Sequence, residues 1–269
     1  MGREPEIGRY EVKYVLPASS REDILRLISP HAVPDPHATQ LEDGTVGYHV
    51  HSLYLDTPDL DDYFDRLARR RIRNRLRVRT YGRPGEGQPV YLENKRKSGK
   101  LVVKQRVQVG DADAWCGSPA ARPWSELARR VSDRDQYVAH SFLTLVDGRR
   151  REPVSVVHYL REVFLPSDPA HADARLTLDR CVRATVAADA HSLYAEPEVD
   201  LIPAAWMVME LKFRHHAPGW MRTLCRELDV QAVPVSKFGL SVARGRRAGR
   251  PRELRLLTPP PLLRLARAA

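Results

Sequence analysis

Between residues 71 and 108 the chain alternates apolar and polar positions in three short runs. Turn residues break them at Gly82, Pro84, Gly85 and Gly87, and again at Ser98 and Gly99. Successive side chains on a strand point to opposite faces, so residues two apart share one face. One face of these three predicted strands carries Ile72, Leu76 and Val78, then Val90 and Leu92, then Val103 and Val107. The other face is charged: Arg73, Arg75, Arg77 and Arg79, then Glu93, Lys95 and Lys97, then Lys104 and Arg106. A single strand of this kind would be read as half-buried, with its charged row in bulk water. Three adjacent strands that gather cations on one face, with a glutamate among them, point instead to a closed or deeply cupped sheet. Its basic interior would bind a polyanion.

The same alternation recurs on either side. Residues 9–16 read as a strand with Arg9, Glu11 and Lys13 on one face, followed by a helix whose capping box is Ser19 and Glu22. A loop spans 31–45, and a second strand ends at Asp56. Thr57 and Pro58 then read as the N-cap and first position of a short helix to about Arg69. Residues 111–152 change period and predict a helical insertion. Strands return over 153–165, 174–186 and 204–214, with Tyr159 and Arg161, then Arg175, Thr177 and Asp179, then Glu210 and Lys212 at spacing two. A helix over 218–228 and the segment 233–244 close the folded part. About eight strands emerge, enough to close a small barrel. The expected fold is therefore α+β: a closed antiparallel β-barrel forming a basic tunnel, with flanking helices and the insertion. An Arg- and Pro-rich tail follows from 245.

Composition sharpens this. The 269 residues are 42% hydrophobic and 29% charged, as in ordinary globular proteins, and can form one large domain. A net charge of +10 calls for an anionic partner. Aromatic residues make up only 7% and do not interleave with the arginine strands, which argues against nucleic acid. Cys116, Cys181 and Cys225 are scattered, with no zinc spacing, and read as reduced thiols. With no apolar leader in the first ten residues and no run long enough to span a membrane, the expected location is cytoplasmic. The tail could still meet a membrane-protein partner. No P-loop or Gly-rich dinucleotide fingerprint occurs, so phosphates would have to be held by side chains.

The order and spacing of several short motifs are similar to those of the VTC (vacuolar transporter chaperone) polyphosphate polymerase domain. That domain is a branch of the CYTH-like triphosphate tunnel metalloenzymes. The motifs are R-Y-E-x-K-Y at 9–14, S-L-Y-L-D-T at 52–57, R-x-R-x-Y-G at 77–82, E-x-K at 93–95, E-L-K at 210–212 and V-S-K-F at 235–238. The resemblance spans about 8–244. It implies a tunnel that binds a nucleoside triphosphate with a divalent metal, Mn2+ or Mg2+, and transfers the terminal phosphate onto a growing polyphosphate chain. Hydrolysis of triphosphates, or non-catalytic sensing of polyphosphate, remains the alternative on the same scaffold.

Carried onto this chain, the resemblance assigns Arg77, Arg79 and Lys237 to catalysis. It assigns phosphate binding to Lys13, Lys95, Lys104, Arg106, Arg161, Arg175, Lys212 and Ser236. Glu210 is the expected metal ligand, with Glu93 and then Glu11 behind it. The roles suit the residue types, since arginine offers planar forks for phosphate and lysine a point charge, while a hard divalent ion prefers carboxylate and phosphate oxygens. Arg73 and Arg75 are open to either a tunnel or a solvated entrance, Asp179 to an ion-pair role, and Ser236 to a plain N-cap. Hydrolytic tunnel enzymes open with E-x-E-x-K, whereas Arg9 stands at the first of those positions here, which favours the polymerase branch.

Overall fold

The computed structural model describes residues 10–98, 101–120 and 122–249. Arg9, the turn residue Gly99 and the tail beyond 249 lie outside the described residues. The strands are β1 (Tyr10–Pro17), β2 (Ala32–Pro34), β3 (Thr39–Gln40), β4 (Val46–Asp56), β5 (Ile72–Arg73), β6 (Leu76–Tyr81), β7 (Pro89–Ser98), β8 (Leu101–Asp111), β9 (Glu152–Pro166), β10 (Arg175–Val186), β11 (Val199–Asp200) and β12 (Trp206–Phe213). The helices are α1 (Arg21–Ile28), α2 (Asp61–Leu67), α3 (Ala112–Cys116), α4 (Pro123–Leu127), α5 (Asp133–Asp147), α6 (Gly219–Glu227) and α7 (Lys237–Gly249).

All twelve strands belong to one mostly antiparallel sheet, with the order β1-β12-β10-β9-β4-β6-β7-β5 and β8 beside β7. The architecture is α+β, as the alternation predicts, but the expected closed barrel of about eight strands is corrected. Among the described residues no ladder joins β1 to the other end of the sheet. That end is β8: β5 continues β6 along one edge of β7, β8 takes the other edge, and the outer edge of β8 forms no ladder with β1, so the ring stays open. The sheet nevertheless curls until side chains bridge its ends. Lys95 on β7 donates to Glu11 on β1 at 2.8 Å.

The outer face is apolar, as period two requires. Leu53, Leu76, Val78, Leu92 and Val107 pack with Trp115, Trp124, Phe142 and Val146 of α3–α5. Leu176, Leu178, Met207, Met209 and Leu211 pack against Ile24 and Ile28 of α1 and Met221 and Leu224 of α6. The inner face meets α7, whose Phe238 stacks on Tyr54 at 5.0 Å and whose Ser241 bonds Ser155 at 2.7 Å. One end of the cupped face is therefore lined by α7 and α2.

Two helix starts differ from expectation. The first turn at Ala18–Ser20 is 3-10, α1 begins at Arg21, and neither Ser19 nor Ser20 caps it; Glu22 pairs with Arg21 instead. Thr57 does not start a helix either, because Leu60 takes a left-handed conformation (φ 60°) and α2 begins at Asp61. The fully buried Asp56 carboxylate accepts from the backbone N–H groups of Thr57, Asp62 and Tyr63 (2.7–2.9 Å), and Thr57 Oγ1 accepts from Asp61. A long-range acceptor has replaced the local cap.

Candidate functional site

The inward row of each long strand contributes to one charged surface. On β6 this row is Arg77 and Arg79; on β7, Glu93 and Lys95; on β8, Lys104 and Arg106; on β9, Tyr159 and Arg161; on β10, Arg175, Thr177 and Asp179; on β12, Glu210 and Lys212; on β1, Glu11 and Lys13. Lys237 joins them from the first residue of α7. Among the described residues, ten cations from the predicted set thus share a face with four carboxylates, Glu11, Glu93, Asp179 and Glu210.

Glu93 is the centre of one cluster. It is 1% exposed, and Arg77 meets it at 2.5 Å, Lys104 at 3.1 Å, Arg106 at 3.4 Å and Arg79 at 3.9 Å. Its Oε1 faces Lys104 and Arg106 yet forms no hydrogen bond of good geometry among the described residues. Burial alone would raise this carboxyl, but Arg77, Arg79, Lys104 and Arg106 together hold it well below the usual carboxylate range. The same crowding and burial bring Lys104 down to about 8. Arg79 is 6% exposed and donates to Ser52 Oγ at 3.0 Å and Tyr159 Oη at 3.1 Å.

The second cluster is richer in acid. Arg161 donates two parallel bonds to Asp179 at 2.6 and 2.7 Å, and Lys237 meets the same carboxylate. Glu210 lies 3.0 Å from Lys212 and 3.7 Å from Arg161. Glu11 bridges Lys13 at 2.9 Å and Lys95 at 2.8 Å. Burial opposes ionisation at each of these acids, and the cations override it: Asp179 and Glu11 fall to about 2, and Glu210 lies well below its ordinary value. Thr177, paired across the ladder with Glu210, is 1% exposed, and its Oγ1 has no hydrogen-bond partner among the described residues.

The predicted residues do not all occupy equivalent positions. Arg175 is exposed at the end of β10, opposite Lys212. Ser236 accepts from Gly239 N–H at 3.2 Å and so caps α7, leaving its hydroxyl proton for another acceptor. Arg75 is half-buried beside Arg73 and Arg77, pairs with no carboxylate among the described residues, and burial with those like charges lowers its pKa. The alternation signal placed Tyr159 and Thr177 on the inward row but not the part they play. It passed over Ser52 and Tyr54, although period two within S-L-Y-L-D-T aims both at the arginines; Tyr54 Oη accepts from Arg77 at 3.3 Å.

At one mouth the inward rows change from ionic to aromatic. Tyr48 on β4, Tyr81 on β6 and Tyr91 on β7 lie edge to face in sequence, with ring centroids 5.9 and 6.2 Å apart. The Arg106 guanidinium lies over Tyr91 at 3.5 Å and over Tyr81 at 5.6 Å.

Among the described residues no three His, Cys, Asp or Glu side chains converge as a metal cage. A divalent ion here would have to share its coordination with phosphate oxygens and water, as magnesium-type ions do. Glu210 fits that role better than Glu93. It has Glu11 and Asp179 as electrostatic neighbours, whereas Glu93 faces cations alone.

No helix among the described residues is long and apolar enough to cross a membrane. A search of curated proteins returned no match. The family model of the VTC domain matches residues 8–245, in keeping with the CYTH-like superfamily, and with that match across nearly all of the described chain the protein belongs to the VTC-domain family.

Proposed function

We propose that this protein is a polyphosphate polymerase, the activity associated with its family, which transfers the terminal phosphoryl group of a nucleoside triphosphate onto a polyphosphate chain. The observation that carries the proposal is the surplus of buried or half-buried cations over carboxylates on one cupped face. Such a surface is costly when empty and is satisfied by a polyanion. The curled sheet with its bridged ends then serves as a tunnel wall.

In each turn of the reaction the bond between the β-bridging oxygen and the terminal phosphorus breaks, leaving ADP. A terminal oxygen of the polyphosphate forms the new bond, lengthening that chain by one phosphate. Transfer between two anions needs alignment and charge neutralisation more than covalent catalysis. Arg77 and Arg79, fixed by Glu93, Tyr54, Ser52 and Tyr159, present guanidinium forks to phosphate oxygens. Arg161 and Lys237 face them from β9 and α7, held by Asp179. Lys13, Lys95, Lys104 and Lys212 add mobile point charges along the chain path, and Ser236 and Thr177 offer hydroxyl donors. A divalent ion held by Glu210, with Glu11 behind it, would neutralise triphosphate oxygens.

The test is incubation of purified protein with ATP and Mn2+, followed by a gel stained for polyphosphate and an assay of ADP. The expected result is ADP together with long polymer. Orthophosphate released in step with ADP, without polymer, would make it a hydrolase; tight binding with no turnover under several divalent ions would make it a sensor.

A further inference from the structure

The aromatic mouth is not explained by phosphate binding alone. Three neighbouring strands, β4, β6 and β7, each carry a tyrosine on the inward row near the same side of the sheet; all three rings are half-buried, and Tyr48 and Tyr81 rest on the inner cluster around Val50, Tyr54 and Tyr159. The Arg106 guanidinium sits over Tyr91, 3.5 Å from its centroid, is one-third exposed, and is braced by Glu93 at 3.4 Å and by donation to Tyr81 Oη at 3.4 Å. A guanidinium held in this way keeps its plane fixed. Exposed Arg175 lies near Tyr48 on the other side of the mouth. Moving along β6, the row steps from Arg77 and Arg79 straight to Tyr81, one side-chain repeat of about 7 Å further on. A ligand that matches such a row has several anionic groups at one end and a flat π-system at the other, joined by a spacer of sugar size.

We propose that the rim of Tyr48, Tyr81, Tyr91 and Arg106 holds the nucleobase of the donor nucleoside triphosphate, with its phosphates directed along Arg79 and Arg77. This inference rests on the polyphosphate reading above and adds the donor's polarity to it: base at the tyrosine mouth, terminal phosphate toward Lys237 and α7. Arg106 thereby becomes a stacking residue as well as a cation. Stacking on aromatic and guanidinium planes tolerates any base, because every base has a π-face. The site therefore separates nucleotides from inorganic phosphates more sharply than one nucleotide from another.

The experiment is calorimetric titration of the full chain with ATP and, separately, with inorganic tripolyphosphate. Tyr91→Ala is expected to weaken ATP by about tenfold, as for the loss of one base stack, and to weaken tripolyphosphate clearly less, because Arg106 keeps its contacts to Glu93 and Tyr81. Tyr91→Phe retains the ring and should bind both ligands as the parent does. If Tyr91→Ala fails to fold, Tyr48→Ala gives the same comparison from the outer edge of the rim. Equal weakening of both ligands, or an unchanged ATP affinity, overturns the base site while leaving the polyphosphate reading standing. A parent protein that binds neither ligand overturns both.

Discussion

Glu93 offers the sharpest test of the charge arrangement. Glu93→Gln keeps the shape of the side chain and removes the one anion shared by Arg77, Arg79, Lys104 and Arg106. Removing one partner of a buried ion pair leaves uncompensated charge, typically at about 3–5 kcal/mol. Lys104 and Arg106 are one-third exposed, so water screens part of that and the lower end, about 3 kcal/mol, is the better figure. For a chain of this size that corresponds to a fall in Tm of roughly 6–12 °C. Phosphate can supply the missing charge, so tripolyphosphate should restore most of the loss and bind the variant more tightly than the parent. Scanning calorimetry of both proteins with and without tripolyphosphate measures each part. A ligand-free variant as stable as the parent, with unaltered tripolyphosphate affinity, would refute the reasoning, because the four cations would then be balanced by solvent rather than by Glu93.

Other perturbations separate roles at the same site. Glu210→Gln should retain ATP binding and lose metal-dependent turnover; a variant that still makes polyphosphate at the parent rate removes Glu210 from the metal site. Arg79→Ala should weaken triphosphate binding at least tenfold, since a hydrogen bond to a charged group is worth about 1.5–3 kcal/mol. It should also lower stability measurably, because it strips Ser52 and Tyr159 of their buried donor; an unaltered affinity in a folded variant would place this row outside the binding face. The outward-facing pair His51 and His158, joined Nδ1 to Nδ1 at 2.8 Å, gives a pH signature. Burial lowers His51 to about 4 and His158 to about 3, so both stay neutral in the folded chain while the unfolded chain takes up protons below about 6.5. Their contribution is present above that pH and is lost on acidification, at about 1.4 kcal/mol per pH unit for each ring. Urea midpoints between pH 5.5 and 7.5 should therefore fall toward acid, and a His51→Asn/His158→Asn variant should flatten the slope; equal slopes in the two proteins would exclude the pair.

Much of the site was legible in the sequence because a strand has period two. Once Arg77 and Arg79 are on one strand, they share a face whatever the rest of the fold does, and the same holds for Glu93 with Lys95 and for Glu210 with Lys212. The order of short motifs supplied the family for a related reason, since strand order along the chain is a property of sequence. Contacts between distant strands were not legible. Nothing local ties Glu11 to Lys95, or sets Arg161 and Lys237 on one Asp179; sheet curvature and the return of α7 onto the inner face bring them together. The closed barrel was over-read because alternation reports which way side chains point, not whether the first and last strands meet; among the described residues β1 and β8 do not pair. The N-terminus of α2 was misplaced by the same limit, as its acceptor, Asp56, lies six residues before the N–H of Asp62 and acts through a turn at Leu60 that local propensity does not favour. The tyrosine rim was missed because composition averages 7% aromatic over the whole chain, while the register between β4, β6 and β7 collects three of them at one mouth. Local periodicity thus determined which face each side chain occupies, and only tertiary structure decided which of those faces meet, because pairing register and sheet curvature depend on contacts between residues far apart in the chain.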